Sequence, residues 1–181
     1  MLRYIITGKP GVGKSTLFNH VISILKESNY RIGGFIAPEV RDRGYRIGFK
    51  VVDLLTNEET WLARKDYHSS VKVGSYGVLL SEADRLIKKA LESAMQSSDI
   101  IGIDEVGPME LKLPSFKPLL LRILNLQKPV ILVIHYNLSD RNILEKIKDA
   151  KKIIVTFENR EKLRESIPWE ILLELRSISK S

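Results

Sequence analysis

Eight consecutive residues near the start of the chain, Gly8-Lys9-Pro10-Gly11-Val12-Gly13-Lys14-Ser15, fit the pattern G-x-x-x-x-G-K-[ST]. Glycines let successive backbone amides crowd together and point inward, and a helix starting directly afterwards adds its own N-terminal amides, so such a run forms a cradle for linked phosphoryl groups. Lys14 then places a point charge between the β- and γ-phosphates, the Ser15 hydroxyl is a hard oxygen ligand for Mg2+, and Thr16 can donate to the α-phosphate. Every position from Gly8 to Thr16, with Lys9, Pro10, Gly11, Val12 and Gly13 among them, is a candidate phosphate contact.

A second segment complements the first. Ile100-Ile101-Gly102-Ile103 is an apolar run that ends in Asp104-Glu105, and the C-terminal end of a strand is where open α/β sheets put their sites. Neighbouring residues at a strand end face different directions, so Asp104 is assigned to the metal, through water, and Glu105 to the attacking water near the γ-phosphate. A carboxylate aimed at water favours hydrolysis over transfer, because a phosphotransferase must keep water away from the same phosphorus. Arg41, Arg43 and Arg46 surround the turn Asp42-Arg43-Gly44. Two uses fit them: Arg41 or Arg46 folding over the triphosphate to offset charge in the transition state, or a solvated edge that discourages strand pairing.

These residues require a particular scaffold. Leu2 to Thr7 reads as a buried strand, and Leu17, Val21, Ile22, Ile24 and Leu25 lie near helical spacing after Ser15, up to Asn29. Arg31 to Glu39 and Tyr45 to Leu54 read as extended, with Thr56-Asn57-Glu58 as a turn before Thr60 to Ala63, which predicts a small antiparallel meander over 33–64. Residues 64–77 show no period and read as a loop. A helix capped by Ser81 follows, with Ala83, Leu86, Ile87, Ala90, Leu91 and Ala94 on one face, then the carboxylate strand, a helix over 114–126 and the apolar strand Val130 to Ile134. Next come a helix over 140–150 capped by Ser139, a strand over 152–157, and one or two closing helices from Asn159. Strands alternating with helices predict an α/β fold, a mainly parallel sheet with helices on both faces, and 181 residues suit one domain over 1–181.

The net charge of +7 is uneven: residues 1–50 carry nine Lys/Arg against three Asp/Glu, and residues 51–100 carry six against eight. A basic N-terminal third suits a polyanion, and both nucleotide and nucleic acid qualify. The tyrosines show no regular interleaving with the basic residues and no RNA-binding motif is present, so nucleic acid has no motif in its support. The chain has no cysteine, and His20, His68 and His135 lack metal-ligand spacing, which rules out a disulfide framework and argues against structural zinc. The apolar runs are short for a membrane span and the phosphate-cradle motif starts at residue 8, so a cytoplasmic protein with no membrane span is expected; the oligomeric state is open, with a monomer favoured.

The two motifs together resemble a P-loop NTPase. By analogy with P-loop proteins that carry the same Asp-Glu pair, the five parallel strands should lie in the order 5-1-4-3-2. That order puts His135, Tyr136 and Asn137 beside the γ-phosphate, and Asn159 and Arg160 close to the nucleotide. Further strings narrow the likeness: Gly34-Phe35; Glu39-Val40-Arg41 with Gly44, Arg46 and Gly48-Phe49; Val73-Gly74-Ser75-Tyr76; Asp104-Glu105-Val106-Gly107-Pro108-Met109-Glu110-Leu111; and Thr156 before Glu158-Asn159-Arg160. In these the chain resembles the small nucleoside triphosphatases first described from thermophiles, which include the human cancer-related nucleoside triphosphatase. The resemblance implies a Mg2+-dependent enzyme that releases phosphate from ATP, GTP and other nucleoside triphosphates with little base preference and modest turnover, and it adds Gly107 to the nucleotide-binding positions. Ala37-Pro38 replaces an expected Thr-Glu, and Pro108 stands where several relatives have Lys. Two other readings compete: a kinase-like phosphotransferase using the hairpin as a lid, and a nucleotide-gated RNA- or DNA-binding module.

Overall fold

The computed structural model describes residues 2–178. Its strands are β1 (Arg3–Thr7), β2 (Ile32–Ile36), β3 (Glu39–Asp42), β4 (Tyr45–Asp53), β5 (Glu59–Arg64), β6 (Lys72–Val73), β7 (Tyr76–Val78), β8 (Ile100–Val106), β9 (Val130–Ile134) and β10 (Lys151–Ile154). They form one mixed sheet ordered β10-β1-β9-β8-β2-β4-β5-β7-β6, with β3 paired to β4. The first five members are parallel. Renumbered among themselves they run 5-1-4-3-2, the order expected by analogy. Every residue of β9 is buried, as is every residue of β8 except Glu105, which is how a parallel strand covered on both faces reads in sequence.

Five helices, α1 (Lys14–Glu27), α2 (Leu80–Ser97), α3 (Phe116–Ile123), α4 (Arg141–Lys146) and α5 (Arg160–Ile178), cover the parallel part. On one face α1 and α5 bury Leu17, Phe18, Val21, Leu25, Ile171 and Leu172 against Tyr4, Ile6, Ile131 and Val133. On the other, α2 and α3 bury Leu86, Leu91, Phe116 and Leu120 against Ile5, Phe35, Ile103 and Leu132. The Phe35 and Phe116 rings meet edge to face at 5.8 Å, a contact of about 1 kcal/mol beyond its burial. The two apolar layers fix β1 and β8 side by side across β9, so the loop after β1 and the carboxylates at the end of β8 open on the same edge of the sheet.

Several sequence expectations need correction. The segment expected as a loop over 64–77 contains β6 and β7, because Gly77 and Val78 complete the ladder of β5 through Arg64 and Ala63. The antiparallel extension therefore reaches Val78 rather than ending at residue 64. Glycine at positions 33 and 34 belongs to the parallel strand β2, not to the hairpin. Ser81 does not cap α2, whose N-cap is Leu79 with no side-chain cap bond. Ser139 does not cap α4; Asp140 does, accepting from Asn142 N and Ile143 N. The closing segment is a single helix, α5, that carries Pro168 inside it. Among the described residues no helix is long and apolar enough to cross a membrane.

Candidate active site

The loop between β1 and α1 is shaped by glycine. Gly13, the N-cap of α1, has φ of 103°, a left-handed conformation that L side chains rarely adopt. A Cβ on Gly8 would stand 2.3 Å from the Val155 carbonyl oxygen, so only glycine lets the loop leave β1 alongside the end of β10. Val12 is buried in the α1 face of the core and pins the loop from below. Lys14 Nζ donates to the Gly8 and Lys9 carbonyls at 3.0 and 3.1 Å, which holds the ammonium across the mouth of the loop. Ser15 and Thr16 are exposed at the first turn of α1.

Strand β8 delivers the carboxylates opposite. Asp104, 6% exposed, is hydrogen-bonded to the Ser15 hydroxyl; burial lifts its pKa to about 7, with the Glu105 charge adding to the rise and Ser15 and Lys14 opposing it. Burial raises the Glu105 pKa as well, and the charges of Lys14 and His135 pull it back. A methyl group on Gly107 would lie 2.7 Å from Glu105 Oε1 and 3.0 Å from Glu110 Oε2, so Gly107 is a place where two carboxyls press on bare backbone. His135 leaves the end of β9, its N–H bonded to the Val106 carbonyl at 3.1 Å, and its Nδ1 accepts from Asn137 N. Tyr136 is 48% exposed and tilts against the His135 ring.

The remaining sequence candidates are distributed less simply. Arg41 and Arg46 share one partner, Glu39, at 2.5 Å each, and Arg41 also donates to the Gly44 carbonyl. They sit on the β3–β4 hairpin, and the structure does not bring them against the phosphate loop. Asn159 has both ends of its amide committed: Oδ1 accepts from Thr156 N at 2.8 Å and Nδ2 donates to the Ile154 carbonyl at 2.9 Å. It closes its own turn, whereas Arg160 lies next to the loop, its Cδ 3.9 Å from where a Gly13 Cβ would be. The Arg160 guanidinium lies 5.4 Å from the ring centre of Phe157, which is 61% exposed.

The sequence assigns no role to Phe157, and it places Glu110 only within the string that carries the family resemblance. Phe157 carries no motif signal. Glu110 did have one: a lone acid between Met109 and Leu111, followed by Leu113 and Phe116, stands in a segment that otherwise belongs inside.

Among the described residues no three His, Asp or Glu side chains form a metal cage. The donor set fits Mg2+ in another way. One buried carboxylate hydrogen-bonded to one hydroxyl offers the few hard oxygen ligands that Mg2+ takes from proteins when phosphates and water supply the rest.

Comparison with known proteins agrees with this geometry. A family model described as NTPase matches residues 3–168. The nucleoside-triphosphatase THEP1 of Saccharolobus solfataricus is 45% identical over 171 residues, covering 94% of this chain and 91% of that protein. The protein of the same name from Methanocaldococcus jannaschii is 42% identical over 176 residues, 97% of this chain and 100% of its own. Among solved structures, THEP1 from Aquifex aeolicus superposes with a TM-score of 0.79 at 32% identity, covering 92% of this chain and 96% of that one. The solution structure of a human cancer-related nucleoside triphosphatase gives 0.78 at 32% identity, covering 94% and 97%. With its phosphate loop, its paired carboxylates and a family match over most of its length, the chain belongs to this NTPase family of P-loop nucleoside triphosphatases.

Proposed function

We propose that the protein is a Mg2+-dependent phosphohydrolase that converts a nucleoside triphosphate and water to the diphosphate and phosphate, accepting ATP and GTP alike. The observation that carries this reading is a pair of adjacent acids at the end of β8 opposite the phosphate loop, Asp104 hydrogen-bonded to the Ser15 hydroxyl and Glu105 within the field of Lys14 and His135. Ser15 and Asp104 would hold Mg2+, which when bound would neutralise charge on the phosphate oxygens. The amides from Gly11 to Thr16 and the Lys14 ammonium bind the phosphate chain and offset charge that develops on the leaving diphosphate. Glu105 takes the proton from the attacking water as its oxygen bonds to the γ-phosphorus and the bond to the β–γ bridging oxygen breaks. The Lys14 charge, and after it that of His135, opposes the rise that burial causes in the Glu105 pKa and so favours the carboxylate form that acts as base.

Modest turnover follows from the hairpin. Arg41 and Arg46 are both held by Glu39 within the hairpin, which keeps these two arginines from serving as a finger over the phosphates, and in related chemistry such a cation is worth about 10³-fold or more. A cytoplasmic monomer that binds its nucleotide is the form favoured. Phosphate release measured across nucleoside tri- and diphosphates, with Mg2+ and with a chelator, tests it. Release from ATP and GTP at similar rates, lost on chelation, is expected. Diphosphate formation only when a nucleoside or nucleotide acceptor is added would make the protein a phosphotransferase instead.

Breadth of base acceptance has its own support in the exposed ring of Phe157, which lies beside Arg160, itself next to the phosphate loop. A stacking surface has no hydrogen-bond pattern by which to reject one base. Phe157→Ala is expected to raise KM for ATP and for GTP by about tenfold, the value of one lost base–aromatic stack, with kcat nearly unchanged. Hydrolysis of inorganic tripolyphosphate, which has no base, should be unaffected. A KM shift confined to one nucleotide, or shared by tripolyphosphate, would remove the stacking assignment.

A further inference from the structure

Four polar residues are buried among the described residues: Asp53, Ser98, Asp104 and Glu110. Asp53 bonds Leu55 N and the Thr56 hydroxyl in a turn, and Ser98 bonds the Ala94 carbonyl at a helix end. Asp104 belongs to the site already described. Glu110 is the one left without a task, at 3% exposure and at the start of the short 3-10 turn Glu110–Lys112.

Its surroundings define what it can do. The Glu110 carboxyl accepts the backbone N–H groups of Gly107 and of Glu110 itself, so it closes the turn that leaves β8. That turn is drawn tight by Leu111 N donating to the Gly107 carbonyl at 3.1 Å and Leu113 N to the Glu110 carbonyl at 3.0 Å. The carboxyls of Glu110 and Glu105 crowd the same bare Cα of Gly107. A freely rotating glutamate would make a poor base, because proton transfer needs the oxygen within hydrogen-bond reach of one water. Here Gly107 and Glu110 form a wall on one side of Glu105, and the Lys14 charge acts on it as well.

We propose that Glu110 is a positioning residue for hydrolysis: it ties the turn after β8 through Gly107 and walls the Glu105 carboxylate into the orientation from which it can take a proton from water. This deepens the proposed function and rests on Glu105 being the base. Burial, with the neighbouring charges of Glu105 and Asp104, lifts the Glu110 pKa to about 8 against the pull of its two amides. At neutral pH the group is therefore mostly the uncharged acid, and a glutamine amide reproduces its shape and its acceptor oxygen.

The test is steady-state ATP hydrolysis, together with the Kd of an ATP analogue bridged by an imido group between the β- and γ-phosphorus. The variants are Glu110→Ala, Glu110→Gln, Glu110→Asp, Glu105→Gln and the double variant Glu105→Gln/Glu110→Ala. Glu110→Ala and Glu110→Asp are expected to lower kcat by about a hundredfold, the cost of a reacting group misplaced by about 1 Å, with analogue Kd held within about threefold. Glu110→Gln should stay within about threefold of wild type. The double variant should be no slower than Glu105→Gln alone, because a residue that acts only through Glu105 has nothing left to position. The proposal is overturned by a wild-type rate in Glu110→Ala, by a Glu110→Gln as slow as the alanine variant, by analogue affinity falling in step with kcat, or by losses that multiply in the double variant. If the alanine variant does not fold, Glu110→Asp carries the same comparison, and a wild-type rate there overturns it equally. An unimpaired Glu105→Gln would show that the base assignment has failed, a result visible without any Glu110 variant, and the positioning role would fall with it.

Discussion

Replacing Glu105 by Gln lowers kcat for ATP and GTP by about a thousandfold, within the span that one general base contributes, and leaves binding of the imido-bridged analogue intact or slightly tighter. Glutamine has the volume of the acid and keeps its place beside Gly107, so the contact there survives. What it loses is the ability to accept a proton from water. It also loses a negative charge that faces the terminal phosphate, and weaker repulsion accounts for tighter binding. Asp104 cannot substitute. Its carboxylate is bonded to Ser15 and its task is the metal. The split is diagnostic, because an interaction made only in the transition state lowers kcat and spares affinity, whereas damage to the phosphate cradle lowers both. Single-turnover phosphate release measures the chemical step directly, and a loss smaller than about tenfold there would assign the proton to another acceptor.

The parts of this site that could be read in the sequence are those whose chemistry is local. A glycine-rich turn between an apolar run and a helix is specified by eight adjacent residues, and the structure places that loop between β1 and α1. The apolar run into Asp104-Glu105 signals a buried strand with charge at its end, and β8 is that strand. The sheet order was legible only by analogy, since no local pattern says that β9 lies between β1 and β8. Single-residue capping was not legible: Ser139 and Asp140 are both good caps, and one dihedral decides between them. Strands β6 and β7 escaped because two- and three-residue strands show no period, and they exist only where β5 offers an edge. The arginines escaped for a similar reason. Arg41 is two residues from Glu39 and Arg46 is seven, and only the hairpin register brings both onto one carboxylate. Glu110 was visible as an acid in an apolar setting, but its closeness to Gly107 and Glu105 depends on the tight turn after β8, which has no sequence period at all.

Lys14→Ala is the second large effect expected, and it differs in kind from the loss of Glu105. Removing the ammonium takes away a charge-assisted contact to the phosphates in ground state and transition state alike, so nucleotide affinity falls by about tenfold to a hundredfold and kcat falls by a further hundredfold or more, comparable to deleting one preorganised donor. Lys14→Arg should not restore activity, because a planar guanidinium cannot stand in for a compact point charge that now fits against the Gly8 and Lys9 carbonyls. A pH signature separates this from simple loss of binding. The Lys14 charge holds down the pKa values of both Asp104 and Glu105, which burial raises. Without it both acids become weaker, so a higher pH is needed to ionise the base, and the acid limb of kcat/KM in Lys14→Ala moves to higher pH than in wild type. The direction is fixed by charge: deleting a cation beside a carboxylate favours the protonated form. An acid limb that stays in place while affinity and rate fall would mean that Lys14 serves the phosphates alone and exerts no influence on the base.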